Sequence, residues 1–237
     1  MLPTRGYIYG LRIYDGSHRP DELPELWVPQ VLMVSIDVVN NEIVFGGGAS
    51  YEGVVVGTPT VVAGPTGAMN AILFSGSSDQ LQLGHETGVD TDASWTIDCY
   101  FKTPIPQTDA WHTLTRGAAG DHQVIINPDQ ASLGSFDNLQ SGGFSDTGYD
   151  ITALSDGWHR LTVAAGQGTA TFYVDGQVVG THSVVSESDF FAVGNYQAGG
   201  QQWGYMYGFR IYDGTIPMEE LPPSVIGGGA SAGGGGH

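Results

Sequence analysis

Short runs of alternating apolar and polar residues dominate this chain, and helical periodicity is nearly absent. The runs are rich in β-branched and aromatic residues and are punctuated by Gly, Asp, Asn and Pro, a pattern that predicts the strands of a sandwich or barrel. Strands are expected over 71–74, 81–83, 94–102, 112–116, 123–126, 158–164, 169–174, 177–183, 191–193 and 203–213. The sharpest local signal is Asp175-Gly176, flanked by TATFYV and QVVGTHS. An Asp-Gly pair between alternating runs favours a type I′ hairpin, whose twist matches that of the strands. Only 218–221 and 20–26 have the pattern of a helical turn.

The two ends differ from the middle. Residues 29–44 read as one or two additional strands leading into a glycine hinge at 46–48, and 227–237 form a Gly/Ala/Ser tail of linker composition. The segment GYIYGLRIYDGSHRPDELP at 6–24 returns as GYMYGFRIYDGTIPMEELP at 204–222, with twelve identical pairs in an ungapped alignment. A second echo, FGGGAS at 45–50 and IGGGAS at 226–231, follows the two copies. The chain therefore divides into an arm (1–53) holding a spare copy of its last strand, a body (54–222) and a tail (223–237).

Composition narrows the functional classes. The chain has 237 residues, a net charge of −18 and a single lysine, Lys102. Nucleic acid is thereby disfavoured as a partner, because phosphate neutralisation needs clustered Lys and Arg; an anionic membrane is disfavoured for the same reason. Cys99 is the only cysteine and lies in the apolar run WTIDCYF, so it reads as a buried, inert thiol. No secretory signal is seen at the N-terminus, and no apolar run approaches the ~20 residues of a membrane span.

At 157–185 the pattern GWHRLTVAAGQGTATFYVDGQVVGTHSVV resembles the laminin-G-like/concanavalin A-like jelly roll. Other elements match in order: AILFSGSSDQLQL at 71–83, DASWTIDCYFKT at 92–103, FAVGN at 191–195 and GFRIYDGTIPMEEL at 208–221. The resemblance implies an all-β fold, a two-sheet antiparallel sandwich closed by the last of these strands. It says less about function, since one fold hosts many. Within this frame Trp158 is expected to fill the core and His159 to face away from it; Tyr173 leads into the turn made by Asp175 and Gly176. Arg210 and Tyr212 are expected on one face of the closing strand, with Arg210 locked to Asp213 or Glu220. Arg12, Tyr14 and Asp15 repeat that arrangement in the first copy and are expected at an interface.

The chemistry of catalysis is missing. Glycosidases of this fold family carry Glu-x-Asp-x-Glu on one strand to supply a nucleophile and a proton donor; the nearest string here, Glu187-Ser-Asp189-Phe-Phe191, ends in an aromatic. Gly229-Ala-Ser231-Ala-Gly233 lacks the strand and helix that a nucleophile elbow requires. The histidines show no paired metal spacing. No cofactor is required by these residues. Calcium is the one metal that the resemblance raises, with Asp146 and Asp150 as candidate ligands among the loop acids. A glycan site would need an aromatic platform flanked by amides, which Trp111, Tyr149, Tyr196 and Trp203 with Gln201 and Gln202 can supply.

Two functional readings follow. One is a non-enzymatic virion structural protein, a phage capsid decoration or tail/fibre subunit at the virion surface, contacting other virion subunits or itself. It reconciles an extracellular type of fold with the lack of a signal. The alternative is a glycan-binding or adhesion module on a phage or bacterial surface.

Overall fold

The computed structural model describes residues 32–47, 53–83, 94–105, 110–129, 131–139, 142–183, 189–196 and 200–226. The expectations for Arg12, Tyr14, Asp15, the turn at 20–26 and the glycine tail lie outside these residues. The described chain is all-β. Its strands are β1 (Leu32–Val39), β2 (Glu42–Gly47), β3 (Val54–Val56), β4 (Thr60–Ala63), β5 (Met69–Phe74), β6 (Gln80–Gln82), β7 (Ser94–Thr103) and β8 (His112–Gly117). They continue with β9 (His122–Ile126), β10 (Ser132–Asp137), β11 (Gly143–Asp150), β12 (Gly157–Gly166), β13 (Thr169–Val174), β14 (Gln177–His182), β15 (Phe190–Val193) and β16 (Gly204–Asp213). The single helical turn expected among these residues is a 3-10 turn at Met218–Glu220, and a second lies at Ile151–Ala153. No helix among the described residues is long and apolar enough to cross a membrane.

Two antiparallel sheets form the sandwich. The first runs β14-β13-β12-β7-β16-β1-β2, with β5 also on β16 and β4 on β5; the second runs β11-β10-β9-β8-β15-β6-β3. Strict alternation builds the core between them. On β7, Trp95, Ile97, Cys99 and Phe101 point inward, and Leu161, Val163 and Ala165 do so on β12. Cys99 is buried as expected, and burial pushes its thiol pKa well above the ordinary value, with the Asp98 charge adding to it. β1, from the arm, inserts Val34 and Ile36 into the same core and pairs with β16. The expected hairpin forms at Asp175 (φ 50) and Gly176 (φ 79), with Val174 opposite Gln177.

Three expectations are corrected. Trp158 is not a core filler. The pairing of β12 with β7 sets His159 opposite Phe101, on the inward phase, and turns Trp158 outward against Tyr205 and Tyr207. Arg210 does not pair with Asp213 or Glu220. Its Nη2 donates to Asp37 Oδ1 of β1 (2.8 Å) and its Nη1 to the Phe209 carbonyl. Trp203 is buried and packs on Phe101.

Beyond β16 the chain folds back across the outer face of the first sheet. Thr96 Oγ1 donates to the Gly214 carbonyl and accepts from Ile216 N, Thr215 Oγ1 donates to the Ala165 carbonyl, and Val225 N donates to the Tyr100 hydroxyl. Tyr212, Ile216 and Leu221 form a small apolar cluster there with Leu32 and Met218. The crossing lies over the Asp98–Arg160 pair, which is sealed from solvent.

Candidate functional site

The second sheet carries a row of aromatic rings on the side turned away from the core. Bulges make this possible. Register shifts in the β8–β9 and β9–β10 pairings rotate His122 out of the inward phase that Val124 and Ile126 keep. Phe136 on β10 stands opposite His122 on one side and Phe144 on β11 on the other. Trp111, just before β8, meets Phe136 and Phe144 edge-on, with centroids 5.4 and 5.5 Å away. Edge-to-face pairs of this kind contribute about 0.5–1.5 kcal/mol each beyond the area they bury. Gly134 admits the arrangement: a Cβ there would lie 2.2 Å from the Ser145 carbonyl oxygen and collide with the Phe144 ring.

The row continues through His122 to Tyr196, whose centroid is 5.1 Å from the imidazole. It ends at Arg116, its guanidinium 4.7 Å above the Tyr196 ring and 5.5 Å from that of Phe191. Polar groups line the same stretch: Thr113 Oγ1 donates to Gln201 Oε1 (2.7 Å) and lies 3.1 Å from His122 Nδ1. Burial pulls the His122 pKa down to about 4, helped by the Arg116 charge, so the ring is neutral at physiological pH. Burial likewise lowers the Arg116 pKa, with Tyr196 opposing. Arg116 is 4 % exposed, and among the described residues it forms no ion pair and its Nε and Nη1 have no hydrogen-bond partner.

Of the four aromatics expected to form a platform, the fold brings two together. Trp111 and Tyr196 belong to this row, linked by Phe136 and His122. Tyr149 packs instead against the core, where burial first and then the Asp175 and Asp150 charges raise its pKa. Trp203 is in the core, so it cannot serve as an exposed platform. Phe136, Phe144, His122 and Arg116 were not anticipated. The run SLGSFD hid Phe136, and nothing local marked Arg116 as lacking an acid.

The remaining candidates are occupied structurally. His159 is held at both ring nitrogens, 2.7 Å from Asp175 Oδ2 and 2.8 Å from the Ser155 carbonyl, while Asp175 Oδ1 accepts from Arg160 N. Asp146 Oδ1 accepts from Gly148 N, and Asp150 Oδ1 accepts from Thr152 N and its hydroxyl, so each carboxylate shapes its own turn. The described residues bring no three His, Cys, Asp or Glu side chains together as a metal site. At the rim between the sheets a small cavity of roughly 80 Å³ is lined by Ile105, His112, Ile126, Ile151, Leu154 and Asp156. His112 is engaged there with the Gln202 carbonyl (2.6 Å).

Residues 75–221 match the family model Laminin_G_3, described as the concanavalin A-like lectin/glucanases superfamily. No curated protein matches the chain. Among solved structures, the chain is similar to Domain 4 of AbnA, a GH43 extracellular arabinanase from Geobacillus stearothermophilus, in complex with arabinotriose. The identity is 18 % and the TM-score 0.59, over 79 % of this chain and 95 % of that one. It is also similar to the receptor-binding domain of botulinum neurotoxin mosaic serotype C/D (12 % identity, TM-score 0.60, 80 % of this chain and 49 % of that). The binding domain of Paraclostridial Mosquitocidal Protein 1 is alike to the same degree (17 %, 0.59, 80 % and 50 %). The chain spans about half the length of the toxin binding domains it matches. At these identities the likeness establishes the fold.

Proposed function

The chain belongs to the concanavalin A-like lectin/glucanases superfamily, and from that premise we propose that it is a non-enzymatic recognition module that binds a surface glycan. The observation that carries the reading is the outer row of the second sheet, from Phe144 through Trp111, Phe136, His122 and Tyr196 to Arg116. Half-buried rings beside hydroxyl and amide groups suit a sugar, which offers an apolar face and a rim of hydroxyls. Relatives in fold support the class: the arabinanase domain is seen with arabinotriose, and others of the toxin domains are seen with SialylT or with rat synaptotagmin II.

A glycan array tests the reading. The wild-type chain should bind a subset of glycans, and Trp111→Ala or Tyr196→Ala should weaken binding at least about tenfold, ~1.4 kcal/mol. Trp158→Ala, on the opposite sheet, should leave affinity unchanged. Silence across the array, or equal losses from both faces, would sink it. Turnover of any member of a polysaccharide panel would remove the non-enzymatic part.

A second reading, a structural subunit at a virion surface, is favoured by the duplicated terminal segment, which suits a chain built into an assembly. Mass analysis and electron microscopy of purified particles address it. A chain absent from particles, or present only as free monomer, would exclude it.

A further inference from the structure

Beside the sealed Asp98–Arg160 pair, the outer face of the first sheet carries an aromatic group of its own. Phe101, Met206 and Ile72 enter the core, so Lys102, Tyr205 and Leu73 point outward by alternation. Trp158 stands opposite Lys102 and Leu73 opposite Tyr205, in a row across β12, β7, β16 and β5. The Lys102 ammonium lies 5.2 Å from the Tyr205 ring centroid, and Trp158 meets Tyr205 and Tyr207 edge-on at 6.3 and 6.5 Å. All of these side chains are half-buried.

Lys102 is the only lysine of the chain and forms no ion pair among the described residues. Asp98, the one acid on the outward side of β7, is bound by Arg160. The rings of the second sheet are accompanied by a hydroxyl and an amide, Thr113 and Gln201. Here an aliphatic side chain and a lysine stem take that place, which offers a sugar's hydroxyls few partners. An apolar protein surface with an acid in it fits better, since interface cores favour Trp and Tyr and match the charges they hold.

The chain itself presents such a surface. Asn40 and Asn41, both left-handed (φ 53 and 65), turn β1 tightly into β2. Val38, Ile43 and Phe45 pack on the core, so Val39, Glu42 and Val44 are turned outward, the two valines 52 % and 41 % exposed. Val39 stands opposite Glu42, an exposed acid that forms no ion pair among the described residues. Valines around a carboxylate complement rings around an ammonium.

We propose that the row of Trp158, Lys102 and Tyr205 receives the β1–β2 hairpin of a second copy of this chain, with Glu42 meeting Lys102 and the two valines covering the rings. The two surfaces differ, so the contact is heterologous and repeats head to tail. Copies of net charge −18 repel at a distance. At ~0.15 M salt that repulsion is screened beyond about 8 Å, whereas a contacting, partly buried pair is screened far less. The glycan row lies on the other sheet, so per-site glycan affinity does not depend on this contact.

Sedimentation of the full-length chain at physiological salt tests it. The wild type should associate as its concentration rises. Lys102→Glu and Glu42→Lys should each weaken association at least about tenfold, because each sets like charges in contact. Mixed together, the two variants should associate about tenfold more strongly than either alone, since one keeps Glu42 and the other keeps Lys102. Trp158→Ala should weaken association to a similar degree, and Leu139→Ala, which trims an exposed apolar side chain elsewhere, should not. Melts close to wild type for the two charge variants keep a negative result decisive. A wild-type chain that stays monomeric at every concentration overturns the proposal and leaves the row to a partner other than this chain. Charge variants that associate as well as the wild type, or a mixture no stronger than its components, overturn it too.

Discussion

The outer faces of the two sheets each carry a buried arginine, Arg160 on the first and Arg116 on the second, 6 % and 4 % exposed. Their company differs. Arg160 Nε and Nη2 donate to the two oxygens of Asp98 at 2.8 and 2.9 Å, and Thr162 Oγ1 donates to the same carboxylate. Burial pulls the Arg160 pKa down, but the hydrogen bonds and charge of Asp98 outweigh it and leave it raised. Arg116 lies between aromatic rings with no such partner among the described residues, and burial leaves its pKa lowered. The first sheet has a closed lock, roofed by the chain beyond β16. The second has a buried cation with no acid beside it among the described residues, at the end of an aromatic row. A charge that holds the fold together is matched within the fold; Arg116 has no such match among the described residues.

The largest effect should come from opening the lock. Asp98→Ala leaves Arg160 buried without its acid, which typically costs 3–5 kcal/mol, roughly. Urea unfolding should show that loss, with an unchanged slope. Replacing both partners by apolar residues, Asp98→Leu with Arg160→Met, should restore most of it, because the pair's attraction barely exceeds its desolvation cost. If Asp98→Ala cost less than about 1 kcal/mol, the two arginines would not differ in kind.

An intermediate effect belongs to the open face and appears with pH. His122 is held neutral in the folded chain down to about 4, whereas an unfolded histidine gains its proton near 6.5. Below that value the unfolded state binds more protons than the folded one, so this residue's contribution falls as pH falls and is complete above about 6.5. Between about pH 7.5 and about pH 5 the loss should be about 2 kcal/mol. His122→Phe should remove that part of the slope, measured as the difference between the two stability profiles so that the carboxylates cancel. Parallel profiles would show that the ring is not held neutral.

The lock could not be read from the sequence, although most of the strands around it could. Alternation showed β7, β12, β13 and β16, whose inward positions carry apolar residues, and the Asp175-Gly176 turn showed β14. β10 and β11 escaped notice: SLGSFD and GFSDTGYD carry small and polar residues on both faces, and their strand character comes from pairing. The phase of β12 was misjudged at Trp158 and His159. Both residues accept either side, and a distant strand, β7, decides between them. Arg210 finds its acid on β1 rather than in its own segment. Of the proposed binding face, Trp111 and Tyr196 were visible as aromatics near amides. What makes them a face is the bulged pairing of β8, β9 and β10, which has no local signature.

The smallest change in stability should come from Arg116. Arg116→Met keeps the length of the side chain and removes an uncompensated buried charge. The lost contacts to Tyr196 and Phe191 are worth about 0.5–2 kcal/mol, and relief from desolvation offsets them, so the melt should stay within about 1 kcal/mol of wild type. Two other readouts should move. The charge of Arg116 is the second cause of the depressed His122 pKa, so its removal should let that pKa rise and flatten the pH slope described above. Affinity for any glycan found on the array should fall while the fold persists. A loss near that of Asp98→Ala would make Arg116 a second lock, matched by contacts of the fold itself, and the outer row would then be packing rather than a site.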